Sequence, residues 1–97
     1  MQVEWSKAAG EDLRSIKTFI AKENPVAAAR VIRTIRQSTL LLIDNPLIGR
    51  LGEITGTREL VIDHFPYLVI YRILERQVRI LAVFHTSQYW QAGFSRA

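Results

Sequence analysis

Residues 58–85 read RELVIDHFPYLVIYRILERQVRILAVFH, and this stretch decides the fold. It contains three runs, residues 58–63, 67–74 and 78–84, that are rich in the aliphatic and aromatic side chains favoured in strands. Only three residues separate each run from the next, which is short enough for a hairpin connection. The stretch therefore predicts three consecutive strands that form an antiparallel meander.

Two of these runs have no polar alternation at their centres. Residues 68–70 and 80–83 are continuously apolar, which is typical of strands that are buried on both faces of a sheet. Arg72 lies inside one of the runs, and an arginine in a central strand must be paired or solvated. We expect either an ion pair of Arg72 with Glu59 or Glu75, or a functional role for this arginine.

The N-terminal half predicts a short strand and two helices. Residues 3–5 read as the strand, and Ser6 is a suitable N-cap for a helix that continues to about residue 22. The pair Asn24-Pro25 supplies the N-cap and the first residue of a second helix, which ends before Pro46. Because few residues lie between the two helices, we expect an antiparallel helical hairpin.

These elements predict one domain over residues 1–97, in the order strand, helix, helix, strand, strand, strand. The fold class is α+β, with the helical hairpin packed on a small, mostly antiparallel sheet. The longest connection, residues 45–57, contains one proline and three glycines and is predicted to be irregular backbone.

The composition restricts the classes of function. The chain has no cysteine, and its two histidines, His64 and His85, have no partner at metal-ligand spacing, so we expect no metal and no cofactor. No apolar run is long enough to cross a bilayer, and we expect a cytoplasmic protein without membrane contact. The net charge of +4 suits an acidic partner or a nucleic acid, although an ordinary charged surface is the simpler interpretation.

The end of the sheet at which the last strand stops is a candidate binding surface. In a meander the first and third strands run in the same direction, so His85 lies at the same end as His64. Tyr89 and Trp90 follow directly, and these residue types are enriched in binding hot spots. The alternative interpretation is that Tyr89 and Trp90 cap the core.

The sequence resembles the RelE/ParE superfamily of toxins over nearly its whole length. Four segments carry the resemblance, in the same order along the chain: NPLIGR at 45–50, GTRELV at 56–61, YLVIYRI at 67–73 and VRILAVFH at 78–85. The C-terminal half is most similar to the ParE type. The resemblance implies the compact fold predicted above and a role as the toxin of a type II toxin–antitoxin pair.

The superfamily implies two activities: RelE-type members cut mRNA in the ribosomal A site, whereas ParE-type members are associated with poisoning DNA gyrase. The nucleases carry two alternating lysines in the strand that matches residues 58–63, and an arginine after the tyrosine that opens the next strand. Here those places hold Glu59, Val61 and Leu68. An acid and two aliphatic side chains cannot stabilise the charge of a phosphoryl-transfer transition state, and this departure favours the ParE type.

We therefore expect a ParE-type toxin that inhibits DNA gyrase by binding rather than catalysis. The toxic surface is expected to comprise His64, His85, Tyr89 and Trp90. One alternative is a RelE-type endoribonuclease that acts on mRNA at the ribosome, with His64, His85 and Tyr89 as candidate catalytic residues. Another is a small basic binding domain that is not toxic.

The resemblance also implies a protein partner. Antitoxins of this family typically present an acidic tail that folds on binding, and the complex is a hetero-oligomer. In the second helix Arg30 and Arg33 lie off the predicted apolar face, and Arg36 lies on its flank. We expect these three arginines to bind the antitoxin.

Overall fold

The computed structural model describes residues 1–87, in which two helices pack on one face of a five-stranded sheet. The strand order is β1-β5-β4-β3-β2, with β1 parallel to β5 and every other pair antiparallel. The predicted α+β class is confirmed. The elements are β1 (Gln2–Trp5), α1 (Lys7–Ala21), α2 (Pro25–Leu40), a 3₁₀ turn (Leu41–Ile43), β2 (Arg50–Leu51), β3 (Arg58–Val61), β4 (Tyr67–Ile73) and β5 (Gln77–His85).

Both helices begin where the sequence predicts. Ser6 Oγ accepts the N–H of Ala9 at 3.1 Å, and Asn24 Oδ1 accepts the N–H of Ala27 at 3.0 Å. Each side chain satisfies one of the N–H groups that a helix leaves without a partner at its first turn. Pro25 occupies the first turn of α2, where its missing N–H costs nothing.

The core has two parts, one on each face of the sheet. The main part lies between the helices and the sheet, on what we call the helical face. The opposite side, the far face, carries a second buried cluster, and the central strands are therefore buried on both faces as predicted. Residues of the main core include Leu13, Ile35, Val69, Tyr71 and Ile80, and those of the far-face cluster are Leu68, Ile70, Ala82 and Phe84.

A β-bulge in β5 determines where its last residues point. The pairing register with β4 shifts at Leu81, which has no partner on that strand. Because the shift reverses the alternation, Val83 and His85 point to the helical face instead of the far face. The carboxylate of Asp12 on α1 accepts the N–H of Val83 at 3.0 Å and so holds the bulge against the helix.

The connection predicted to be irregular contains a strand, β2, and β3 ends at Val61, earlier than predicted. The cause is tertiary. The buried hydroxyl of Tyr71 donates to the carbonyl of Pro46 at 2.7 Å and accepts the N–H of Gly49 at 2.9 Å. Arg58 donates to the carbonyl of Gly49 at 2.7 Å. These bonds hold the chain beside β3, so that β2 can pair with it.

Candidate functional site

A cleft of about 460 Å³ opens at the end of the sheet where β5 stops. Tyr67 and His85 form its sheet side and lie opposite each other in the β4–β5 register. Their rings meet edge to face, with 5.4 Å between centroids. Residues of α1 form the facing wall. We call this site the histidine cleft, and it is lined by Ser15, Ile16, Phe19, Tyr67, His85 and Ser87.

Phe19 is the most exposed aromatic side chain of this cleft. It lies on α1 between residues that face the core, yet 73% of its surface is accessible. An aromatic side chain that is left in solvent beside a cleft gains free energy when a partner covers it. Phe19 is therefore a candidate anchor for a protein partner.

The hydrogen bonds of His85 fix the position of its proton. Ser87 donates its backbone N–H to Nδ1 of His85 at 3.1 Å, and Ser87 Oγ lies 2.7 Å from the same nitrogen. A ring nitrogen that accepts an N–H carries no proton, so the neutral ring is protonated at Nε2. In this state Nε2 can donate a hydrogen bond but cannot accept a proton.

Tyr67 contributes a second donor to the same site. Its side chain is buried to 8% exposure, and this burial raises the pKa of Tyr67 above its ordinary value of 10.0. The phenol therefore keeps its proton at neutral pH. The cleft thus combines aromatic area with hydrogen-bond donors.

The structure places His64 near this end of the sheet but not in the cleft. His64 is exposed in the turn between β3 and β4 and has a left-handed backbone, with φ 68°. The turn is tied to the end of β5, because Thr86 donates its N–H to the carbonyl of Pro66 at 2.8 Å. The prediction that the two histidines share one end is confirmed by the register, whereas Tyr89 and Trp90 lie outside the described residues.

A second surface lies where α1, α2 and β1 meet. This basic groove, of about 370 Å³, has an apolar floor and a rim of three cationic side chains. The guanidinium carbon of Arg36 lies 5.8 Å from the ring centroid of Trp5, within the range of a cation–π contact. The groove is lined by Trp5, Gly10, Leu13, Arg14, Lys17, Ile32 and Arg36.

The three arginines predicted to act together on α2 are all exposed, but they do not all line this groove. Arg36 lies on its rim, whereas Arg30 and Arg33 lie elsewhere on the surface of the helix. Arg14 and Lys17 of α1 complete the rim, and the sequence analysis did not identify them. Their contribution depends on how the two helices pack, which spacing within one helix does not reveal.

The predicted ion pair of Arg72 with Glu59 or Glu75 is wrong. Glu59 is 4% exposed and pairs instead with Arg50, with 2.8 Å between Arg50 Nε and Glu59 Oε1. Among residues 1–87 Arg72 forms no ion pair. The reason is the strand β2, which the sequence analysis missed and which brings Arg50 opposite Glu59.

Neither a metal site nor a membrane span is found in the described part of the chain. No group of three or more histidine, aspartate or glutamate side chains there could hold a metal ion. Neither helix is long and apolar enough to cross a bilayer.

A family model described as the ParE toxin of the type II toxin–antitoxin system parDE matches residues 3–90. The match includes both helices, all five strands and both surfaces described above. The chain belongs to the ParE toxin family. Membership implies that this toxin has an antitoxin as its partner.

Individual proteins agree with this assignment. The toxin is 42% identical to the candidate toxin Y4kP of Sinorhizobium fredii over 92% of both chains. It is 32% identical to Toxin RelE2 of Caulobacter vibrioides, over 90% of this chain and 97% of the relative. A chain of the chromosomal ParDE system from P. aeruginosa has the same fold, with a TM-score of 0.78, 24% identity and coverage of 88% and 95%. The intact E. coli RelBE complex contains a related fold, with a TM-score of 0.62, 12% identity and coverage of 84% and 92%.

The three residues at which the sequence resemblance predicts a departure from the nucleases lie in β3 and β4. Glu59 is buried in its ion pair with Arg50, and Leu68 is 2% exposed in the far-face cluster. Val61 is 52% exposed and apolar. None of the three side chains carries a positive charge, and two of them are packed too closely to be replaced by a mobile cation.

Of the six residues that line the histidine cleft, only His85 was predicted from the sequence as a site residue, and two aromatic ones, Phe19 and Tyr67, were not. Phe19 carried a usable signal, because it is a large aromatic residue off the apolar face of α1. Tyr67 carried none, because its position beside His85 depends on the bulge at Leu81. A bulge cannot be read from an apolar run, since the run looks the same with and without it.

Proposed function

We propose that this toxin inhibits DNA gyrase in the cytoplasm by binding it through the histidine cleft, and that a cognate antitoxin neutralises it. The observation that carries the proposal is the residue type at three positions. Glu59, Val61 and Leu68 are acidic or aliphatic where nucleases of the superfamily carry cations. We include His64 in the proposed toxic surface because its turn lies at the same end of the sheet as His85, and Tyr89 and Trp90 because they follow His85 closely in the sequence.

The chemistry of the cleft supports binding rather than RNA cleavage. Cleaving a phosphodiester requires a base, an acid and a cation that stabilises the transition state. The six side chains that line the cleft include no lysine and no arginine. His85 accepts the backbone N–H of Ser87 at Nδ1, so its neutral ring presents an N–H donor at Nε2 to a partner.

The same features suit a protein surface. Phe19 offers exposed aromatic area, and Tyr67 and His85 offer donors to a carbonyl or carboxylate of the partner. A cleft of this kind between a helix and a sheet edge accepts one or two side chains of a partner. We therefore propose a binding site in which Phe19 is the aromatic anchor, and the donors of Tyr67 and His85 give specificity for a polar group of the partner.

Two parallel assays test the proposed target. We expect the purified toxin to block DNA supercoiling by gyrase, and to leave mRNA intact in a reconstituted translation system at a stoichiometric amount. The His85→Ala variant is the matched control, and its inhibition of gyrase should be weaker. Cleavage of mRNA in the ribosomal A site would instead assign the RelE-type activity, with His64, His85 and Tyr89 as the candidate catalytic residues.

Growth on expression without the antitoxin tests the remaining alternative. We expect growth arrest, because inhibition of gyrase stops replication. Normal growth in the presence of soluble, folded protein would make the chain a small basic binding domain without toxicity.

We further propose that the antitoxin binds across the two helices, with an acidic segment along Arg30, Arg33 and Arg36. The basic groove supports the part of this surface at Arg36, because its apolar floor and cationic rim match a segment that is both acidic and apolar, and Arg30 and Arg33 are exposed on the same helix outside the groove. Exposed charges mainly accelerate association, and salt screens them. The interaction should therefore weaken as the ionic strength rises.

Reversal of charge tests this surface. Replacing Arg30, Arg33 and Arg36 with glutamate should lower the association rate with the antitoxin about tenfold or more at low salt. The matched control replaces the exposed Lys7, Lys22 and Arg76 with glutamate, which changes the net charge equally at other places. Equal rates for the two triple variants would show that the antitoxin binds elsewhere.

A further inference from the structure

Arg72 occupies an unfavourable electrostatic position on the far face of the sheet. It lies directly opposite Arg79 in the β4–β5 register, and like charges in such a pair repel each other. Arg79 is neutralised by Glu4 on β1, and Arg50 by Glu59 on β3. Arg72 is the arginine of this face that has no acidic partner among the described residues.

The guanidinium of Arg72 also lies beside the loop that precedes β3. Gly56, with φ +84°, lies so close that a Cβ atom there would be 3.8 Å from Nε and Nη2 of Arg72. The loop before β3 therefore covers one edge of the guanidinium. Nε is fully buried there and has no acceptor among residues 1–87, although a buried donor is nearly always bonded. The residue as a whole is only partly buried.

We propose that Arg72 binds a carboxylate of the antitoxin, which would make the far face a second antitoxin contact in addition to the helical surface. With one edge shielded by the loop, the guanidinium is poorly hydrated, and its attraction for an anion is correspondingly stronger. A carboxylate can accept two N–H groups of a guanidinium at once, which also fixes its orientation. Within residues 1–87 this charge has no acidic partner, and a carboxylate of the antitoxin would neutralise it.

The surrounding charges favour a single carboxylate over a nucleic acid. Glu4 and Glu59 flank the arginines of this face, and they would repel the successive phosphates of a nucleic-acid strand. On this face Arg50 and Arg79 each form an ion pair with a glutamate, and the charge that remains is that of Arg72. One carboxylate would neutralise it. The antitoxin is the partner that family membership implies, and the net charge of +4 makes an acidic partner complementary.

The test measures the antitoxin encoded beside the toxin gene against wild-type toxin and three variants. Arg72→Gln should weaken binding about 10- to 100-fold, the loss expected when a hydrogen-bonded charge pair is removed. The loss should appear in the dissociation rate and persist at high salt, unlike that of the exposed helical arginines. Arg72→Lys should recover part of the affinity, and Arg76→Gln, which removes an exposed charge from the adjacent hairpin, should retain all of it.

Two further measurements separate this proposal from its rivals. The unfolding temperature of Arg72→Gln should equal or exceed that of the wild type, because a repelled cation has been removed, and growth arrest without antitoxin should be unchanged. Parallel loss of stability and affinity would make Arg72 structural and would overturn the proposal. Retained affinity with lost growth arrest would overturn it too, since the carboxylate would then belong to the target. The proposal rests on the antitoxin part of the proposed function alone, and a negative gyrase assay with wild-type toxin would leave it standing.

Discussion

Tyr67 and Tyr71 lie on the same strand and the same face of the sheet, yet they differ in what their hydroxyl groups do. Tyr71 is fully buried, and its hydroxyl bonds to Pro46 and Gly49 of the connection before β2. Tyr67 is nearly as buried, but its ring meets His85 at the histidine cleft, and no bond of its hydroxyl is found among residues 1–87. One tyrosine holds a loop in place, and the other leaves its donor available to a partner.

The comparison of the two hydroxyl groups indicates which positions on this small sheet can contribute to binding. A hydroxyl that is already satisfied inside the protein contributes to stability and has nothing to offer a ligand. A hydroxyl at a cleft contributes little to stability and can be used in binding. Substitutions of the two tyrosines should therefore have opposite effects on stability and on toxicity.

The largest effect on stability is expected for Tyr71. Tyr71→Ala should lower the free energy of unfolding by about 3–5 kcal/mol, because it empties a large volume in the main core. Tyr71→Phe should cost about 1–3 kcal/mol, because it leaves the buried N–H of Gly49 without an acceptor. Urea unfolding followed by circular dichroism measures both values.

Tyr67→Phe is the matched control for Tyr71→Phe. It removes the same atom from the same strand and should change the unfolding free energy by less than about 0.5 kcal/mol. Equal losses in the two variants would contradict the comparison, since they would mean that the bonds of Tyr71 to the loop add nothing.

A smaller effect is expected at alkaline pH. Burial raises the pKa of Tyr67 above 10.0, and burial also raises that of Tyr71, where the Gly49 N–H and Arg58 act in the opposite direction. The folded state therefore keeps protons that the unfolded chain releases above about pH 10. Stability should be complete below about pH 10 and should fall as the pH rises further.

Each phenylalanine variant should show this loss less steeply. Tyr67→Phe and Tyr71→Phe each remove one group that titrates differently in the two states, so the plot of unfolding free energy against pH should be shallower above about pH 10. Urea midpoints measured at several alkaline pH values give the slope. A slope unchanged in both variants would show that other groups cause the alkaline loss.

How much of the fold could be predicted from sequence depends on how local its causes are. The caps Ser6 and Asn24 act on the first turn of their own helices, so both helices were predicted correctly. The strands β3, β4 and β5 follow from continuous apolar runs. The strand β2 could not be predicted, because it exists only through the bonds of Tyr71 and Arg58 to a distant loop.

The candidate site was predicted only in outline, because only some of its causes are local in the sequence. The direction of the strands in a meander was enough to place His64 and His85 at one end of the sheet. Which side chains meet there depends on the bulge at Leu81 and on the packing of α1, and Phe19 was therefore missed. The sequence showed that a charge at Arg72 needs a partner or solvent. The predicted partner Glu59 was wrong, because Glu59 pairs with Arg50 of β2, a strand that was not predicted.

A small effect on stability, and the largest on toxicity, is expected for His85. The ring lies at the rim of the sheet, and its bonds to Ser87 join two residues that are only two positions apart in the chain. His85→Ala should therefore cost less than about 1 kcal/mol of unfolding free energy. The substitution removes a hydrogen-bond donor from the histidine cleft. Growth arrest should therefore be lost, whereas binding to the antitoxin should be kept. His64→Ala is the comparison, since it changes an exposed histidine near the same end but outside the cleft, and its toxicity should fall less. If toxicity declines in either variant only as far as the unfolding temperature does, the cleft is part of the core architecture, and its assignment as the toxic surface must be withdrawn.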